Sequence, residues 1–470
     1  MIHEGHEEGV GGGGVLLLSC YELGHQPLSL AWPLALLRTA GIEASAVDLA
    51  VEPFAAYIAR HVRFAAIAVP MHTAMRIGVD AARRVRRSNP RAFIAFYGLY
   101  AWLNRDYLLG EEGLADAVIA GEYETALVKL ARAVVRGENP AEVEGVTLRD
   151  RPAKPQLVRL ALPVPARDYL PPLENYAYYV DSTGAKPGGY VEASRGCLHT
   201  CRHCPIVPVY NARFFVVPAE TVLADIRQQV AAGAGHITFG DPDFLNGPRH
   251  AHEIARRLHA EFPDLSFDFT TKVEHILEHR NLMPELARYG ATFVVSAFEA
   301  ASDAILAKLN KGHTAADMDA ALEILRGAGL QPQPTFMPFT PWTSLEDYLA
   351  LLHWIRTHGL IAHVPAVQLS IRMLIPPASA LLDDNAGAPW LGELDAPNFT
   401  YQWTHPDPRM DELQRQVTCI AEQAADEDPY SAFAAVERAA YTLAGLTPPA
   451  AEVVPVGAVA PPRLSEHWFC

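Results

Sequence analysis

Cysteine is scarce, six in 470 residues, so no disulfide framework holds a chain of this length together. Basic residues are also in deficit, 38 Lys+Arg against 54 Asp+Glu, for a formal net charge of −16. A surface of that sign repels phosphate backbones and excludes nucleic acid as the main partner. Long apolar runs are missing as well. VLLL at 15–18 is far short of the roughly 20 residues that cross a bilayer, so no membrane partner is expected. The opening MIHEGHEEGVGGGG has neither the basic nor the apolar stretch of a secretory signal, and His3 and His6 read as solvated tail residues. The expectation is a reduced, cytoplasmic protein. What is present is apolar content: half the chain is hydrophobic, which rules out a disordered protein and allows two to four domains.

After a disordered tail at 1–14, short apolar runs alternate with amphipathic segments. Strands are expected at 15–20, 44–50, 64–70, 92–98 and 115–124, and helices at 28–41, 78–90 and 125–135. That alternation predicts a doubly wound parallel sheet, a Rossmann-like domain over 15–140. A proline-rich stretch, 141–187, reads as a linker. A second α/β series follows over 188–385, with strands expected at 188–194, 236–244, 265–271, 292–300, 332–339 and 366–374. Six strands with a functional loop after the first predict a partial (β/α)6 barrel with its active groups at the carboxyl ends of the strands. Residues 386–447 are expected to be a small, mostly helical region. Residues 448–470 form a Pro/Ala/Val tether ending in PRLSEHWFC. The segment 386–470 holds 12 acidic and four basic residues, a net of −8 out of −16.

The chemistry gathers directly after the strand GGYVEAS. RGCLHTCRHCP (195–205) puts Cys197, Cys201 and Cys204 at C-x3-C-x2-C spacing, three soft ligands on one loop that cannot all pair as disulfides. Zinc would take a fourth ligand from His199 or His203, making the chain a non-catalytic interaction module. An iron–sulfur cluster would instead keep one iron open to a cofactor.

YVEASRGCLHTCRHCPI resembles the first strand and cluster loop of the radical S-adenosylmethionine superfamily, and the resemblance runs through about 186–378. It implies an enzyme in which Cys197, Cys201 and Cys204 bind a 4Fe–4S cluster. The fourth iron would chelate S-adenosylmethionine, whose reductive cleavage yields a 5′-deoxyadenosyl radical. An electron donor such as flavodoxin or ferredoxin is implied too. By the same resemblance His203 lies beside the adenine, and Gly240 and Asp241 in FGDP form the turn that receives the methionine amino group. Ser296 and Glu299 in VVSAFEAASDAILAKLNKGHT mark a strand end facing the cofactor, and Arg372 in QLSIRML stands where adenine and substrate meet. Ala300-Ala301 departs from the small Ser/Gly pair usual there, and Met337-Pro338 holds a turn where Gly is more usual.

The first domain resembles the cobalamin-binding domain of a branch of that superfamily, with GEYE (121–124) similar to a GEGE segment common there. A crevice at the carboxyl ends of its strands could hold a corrin. The first strand leads into CYELGHQP, which lacks an Asp-x-His-x-x-Gly pattern, so His25 is a weak candidate ligand and Cys20 reads as packing. With cobalamin the reaction expected is methylation of an unactivated carbon; without it, radical rearrangement. PRLSEHWFC is similar to the ending of a group named for a Cys-Cys-Ala-Glu-Pro or Cys-selenocysteine-Ala-Glu-Pro tail. Cys470 is then a candidate redox residue, and the chain a possible selenoprotein read short at a UGA codon. Cys419, inside an expected helix, reads as core.

Overall fold

The computed structural model describes residues 14–111, 113–424, 428–452 and 460–466. His3, His6 and Cys470 lie outside them. The chain divides into two compact units, Met1–Asn175 and Tyr176–Cys470.

In the first unit β1 (Val15–Ser19), β2 (Ala44–Asp48), β3 (Phe64–Ala68), β4 (Phe93–Tyr97), β5 (Ala117–Ile119) and β6 (Val146–Thr147) form one sheet in the order β2-β1-β3-β4-β5-β6. All neighbours are parallel except β5 and β6. β1, VLLLS, is buried along its length, as a central parallel strand covered on both faces must be. The helix Leu28–Thr39 carries Pro33 inside it. Proline has no N–H to give the carbonyl four residues back. The buried Tyr97 hydroxyl donates to that carbonyl, Ser29 O, at 2.8 Å, so the interruption is absorbed by the sheet.

Residues 141–187 are not the expected linker. Val146–Thr147 is an edge strand, and Gln156 bridges to Gly121. The Trp32 indole donates to Pro163 O at 3.0 Å, and Arg167 donates to Gln26 O at 2.9 Å. Gly121 is required there: its φ is +75°, and a Cβ would stand 2.1 Å from Gln156 O. The sequence misleads because its prolines forbid regular ladders but not packing.

The second unit is built on a seven-stranded sheet. Its strands are β7 (Tyr178–Asp181), β8 (Gly184–Val191), β11 (His236–Phe239), β12 (Ser266–Thr270), β13 (Ala291–Glu299), β14 (Gln331–Phe336) and β17 (Arg463–Leu464), in the order β14-β13-β12-β11-β8-β7-β17. β8 through β14 within that sheet run parallel, the curled half-barrel expected; β7 and β17 add an antiparallel edge. The short ribbon β9 (Ser194–Gly196) with β10 (Phe214–Val216) flanks the cysteine loop. The sixth expected strand, 366–374, is reduced to a 3-10 turn and a single bridge from Phe339 to Arg372. The region after it contains a hairpin, β15 (Leu391–Asp395) and β16 (Thr400–Trp403), before the helices Pro408–Gln423 and Pro429–Leu443. Cys419 is exposed on the first of these, not in the core, and its Sγ accepts from the Gln423 amide. The tether also departs from expectation, because Arg463–Leu464 docks on β7. No helix among the described residues is long and apolar enough to cross a membrane.

Candidate active site

The carboxyl ends of β8, β11, β12 and β13 carry the site. Asp241, just past β11, is buried; its Oδ2 accepts the Ala193 N–H at 2.9 Å and its Oδ1 accepts the Ser194 hydroxyl at 2.6 Å. Burial pushes its carboxyl up to about 7. Both oxygens are thus committed to the corner between β8 and β9 that launches the cysteine loop. Asp241 positions that loop; the expected contact with a methionine amino group is not what its hydrogen bonds serve. Gly240 is explained the same way, since a Cβ there would stand 2.0 Å from the Tyr190 ring.

From β9 the chain turns through Cys197, whose N–H donates to Arg213 O at 3.0 Å; Cys204 N–H donates to Cys201 O at 3.1 Å. Burial pushes the Cys197 thiol up, so a metal would have to displace a firmly held proton. Cys201 is buried and Cys204 half-buried, and none of the three is in a disulfide. The one set of three ligand atoms within 4.8 Å of one another among the described residues is not the thiols but His199, Asp243 and His275. Three soft sulfur donors on one loop fit a 4Fe–4S cluster that leaves one iron open.

The segment Leu306–Gly312 clamps this loop from the far side. Leu309 O accepts the Arg202 N–H at 3.0 Å, and the Asn310 amide donates to Thr200 O at 3.0 Å. Lys311, 3% exposed, reaches Glu299 Oε1 at 3.0 Å; His203 Nε2 lies 3.1 Å from the same oxygen. Glu299 sits where the register of β13 against β14 slips, at φ +67°. Such a bulge re-aims a side chain at a strand end. Burial opposes ionisation of Glu299, but the Lys311 ammonium and His203 outweigh it and hold the carboxyl well below the usual carboxylate range. Burial likewise opposes the Lys311 charge; Glu299, with Cys201 and Cys204 beside it, raises it instead. His203 is thus engaged with Glu299. Ser296 is 1% exposed, and its hydroxyl has no hydrogen-bond partner among the described residues, an orphan that suits a bound polar molecule.

Arg372 stands apart from these residues. Its guanidinium donates to Asp411 Oδ1 and Trp403 O, both at 2.7 Å, and stacks 3.5 Å over the Trp403 ring. It fastens helix Pro408–Gln423 and β16 to the strand ends. The residues that sequence reasoning missed are Lys311, Asp243, Asn246, Glu274 and His275. Asn246 Oδ1 accepts the Leu198 N–H at 3.3 Å and lies 3.9 Å from Cys197 Sγ. The available signal was LNKG for Lys311 and the acidic residue two past Asp241.

In the first unit, the carboxyl edge of the sheet holds two further orphans. Ser19 Oγ and Trp102 Nε1, the latter on the short helix after β4, are buried without hydrogen-bond partners among the described residues. They suit a ligand with a polar rim, as a corrin is. His25 is buried within the turn that follows β1, its N–H donating to Glu22 O. Burial pushes the Cys20 thiol up, with Asp48 and Glu22 adding to it, which suits an inert packing residue.

Residues 191–355 match the radical SAM superfamily, whose enzymes use a 4Fe–4S cluster and S-adenosylmethionine. The chain is 23% identical over 292 residues to an uncharacterised methyltransferase of Pyrococcus horikoshii, covering 60% of this chain and 62% of that one. It is 25% identical over 279 residues to the hopanoid C-3 methylase of Methylococcus capsulatus, covering 59% and 53%. The chain thus spans less than two thirds of the length of both. Among solved structures, the radical S-adenosylmethionine methyltransferase TsrM from Kitasatospora setae superposes with a TM-score of 0.67 at 16% identity, over 88% of this chain and 89% of that one. The cobalamin-dependent enzyme OxsB gives 0.68 at 14% identity, over 87% and 66%. These likenesses establish the fold; residues 191–355 form a radical SAM domain.

Proposed function

We propose that this chain is a cytoplasmic radical S-adenosylmethionine enzyme that binds cobalamin in its first unit and transfers a methyl group to a carbon of a small molecule or peptide. The observation that carries it is the cysteine loop: Cys197, Cys201 and Cys204, none in a disulfide, at C-x3-C-x2-C spacing at the mouth of a parallel half-barrel and clamped by Leu306–Gly312. TsrM and the hopanoid methylase, both methyl-transferring proteins, support the reaction class. When bound, the cofactors would supply the electron that cleaves the sulfonium and the carrier for its methyl group. The chain's own part is geometric and electrostatic. Asp241 sets the angle of the loop, Lys311 and Glu299 place a fixed ion pair beside Cys201 and Cys204, and Ser296 offers a hydroxyl to the cofactor. A reduced flavodoxin or ferredoxin would supply the electron.

Anaerobic iron and sulfide reconstitution tests this. Brown protein that converts S-adenosylmethionine to 5′-deoxyadenosine or S-adenosylhomocysteine is expected, with both colour and turnover lost in Cys201→Ala. Colourless protein holding one zinc on its thiols would overturn it. Cobalamin binding is a separate titration, read from the shift of the corrin spectrum on addition of protein. The likeness of PRLSEHWFC to the selenocysteine-bearing tail carries a further proposal, that Cys470 is one half of a redox pair.

A further inference from the structure

Beside the cysteine loop lies a second set of ligating atoms that the cluster does not use. Asp243 follows β11, His275 stands on the helix Val273–Glu278 after β12, and His199 projects from the loop between Cys197 and Cys201. Asp243 Oδ2 is 2.8 Å from His275 Nδ1 and 3.4 Å from His199 Nε2. The three atoms lie within 4.8 Å of one another. The three atoms are buried, and both imidazole nitrogens approach the same carboxylate oxygen. Three buried ligand atoms from three elements converging on one point form a geometry that a metal ion can occupy.

The surroundings fit the same purpose. Asp243 Oδ1 accepts the Thr271 hydroxyl at 2.7 Å and the Leu245 N–H at 3.1 Å, which fixes the carboxylate and leaves Oδ2 for another partner. His199 Nδ1 faces Glu274 Oε2 at 3.6 Å. A carboxylate on the far nitrogen of a ligating imidazole sets its tautomer and orientation.

We propose that His199, Asp243 and His275 form a mononuclear metal site, separate from the cluster, for a divalent ion of borderline softness, Zn2+ or Fe2+. Two imidazoles disfavour the hard cations Mg2+ and Ca2+. Three protein ligands leave a coordination position open to water or to an oxygen or nitrogen of the substrate, the pattern of a catalytic rather than a structural ion. The site would hold a substrate next to the cluster loop, through His199.

The test begins with the full, cluster-loaded chain dialysed against Zn2+ and analysed for metals. One equivalent of zinc beyond the cluster iron is expected, and Asp243→Asn should lose it while keeping its iron and sulfide. Should that variant unfold, His275→Gln replaces it. In parallel, Co2+ is titrated into the Cys197→Ser/Cys201→Ser/Cys204→Ser chain, its fold checked by circular dichroism. One Co2+ should bind with visible ligand-field bands and no sulfur-to-cobalt charge transfer, at least tenfold more weakly once Asp243 or His275 is also replaced. Cobalt spectra that always carry sulfur charge transfer, or zinc retained undiminished in both Asp243→Asn and His275→Gln, would overturn the site.

Discussion

Lys311 and Glu299 are a buried ion pair, and removing one partner leaves the other charge stranded. Lys311→Met is therefore expected to destabilise the chain by about 3–5 kcal/mol in denaturant titrations, and Lys311→Met/Glu299→Gln to recover much of it. No recovery in the double variant would show that Lys311 acts through packing alone. Asp241 makes a different kind of prediction. Its carboxyl titrates near 7 folded against 3.8 unfolded. The folded state thus binds the proton more tightly, and the stability this contributes is present in acid and lost as pH rises through 7. The unfolding free energy of the native chain relative to Asp241→Asn should grow by about 2–3 kcal/mol between pH 8 and pH 5. A difference independent of pH would mean that the carboxyl is ionised throughout. Neither role could be read from the sequence. FGDP pointed at Asp241, but a motif does not say whether its carboxylate faces a ligand or a neighbouring N–H.

Leu306–Gly312 shows what a short element contributes. Leu309 and Asn310 bond the cysteine loop, Lys311 pairs with Glu299 beside it, and Gly312 closes the segment at φ +76°, where a Cβ would stand 2.1 Å from a Glu274 carboxylate oxygen. Gly312→Ala combines backbone strain with that clash and is expected to cost about 1–3 kcal/mol and to speed iron release to a chelator. Unchanged iron release would separate the clamp from cluster retention. The parallel strands of both sheets were legible because buried strands of this kind are near-continuous apolar runs. The sixth strand of the half-barrel was not. Residues 366–374 carry the same apolar pattern, yet they form a 3-10 turn and one bridge. Hydrophobic periodicity records burial, and here the burial is supplied by helix Pro408–Gln423 and β16 rather than by a ladder.

Across the whole chain, the seven-stranded sheet ends on Arg463–Leu464, which pairs with β7 while Leu464 packs against the buried Tyr179, Phe293 and Val295. An unpaired β7 would offer an open edge for association. A chain ending at residue 447 should accordingly form dimers or larger species by light scattering at concentrations where the full chain does not; a monodisperse truncation would show that β7 is protected without β17. Within the stretch read as a tether, the docking of Arg463–Leu464 went unforeseen because two residues of pairing leave no pattern in a sequence. The amino-acid sequence by itself determined the class of each unit and marked the thiol loop, since periodicity and ligand spacing are local properties of the chain. Only the tertiary structure decided that Asp241 holds the loop's corner, that Arg372 pairs with Asp411 and Trp403, and that His199, Asp243 and His275 meet. Those three residues stand 44 and 32 positions apart along the chain, and only the parallel crossovers from β8 to β12 bring their ligand atoms within 4.8 Å.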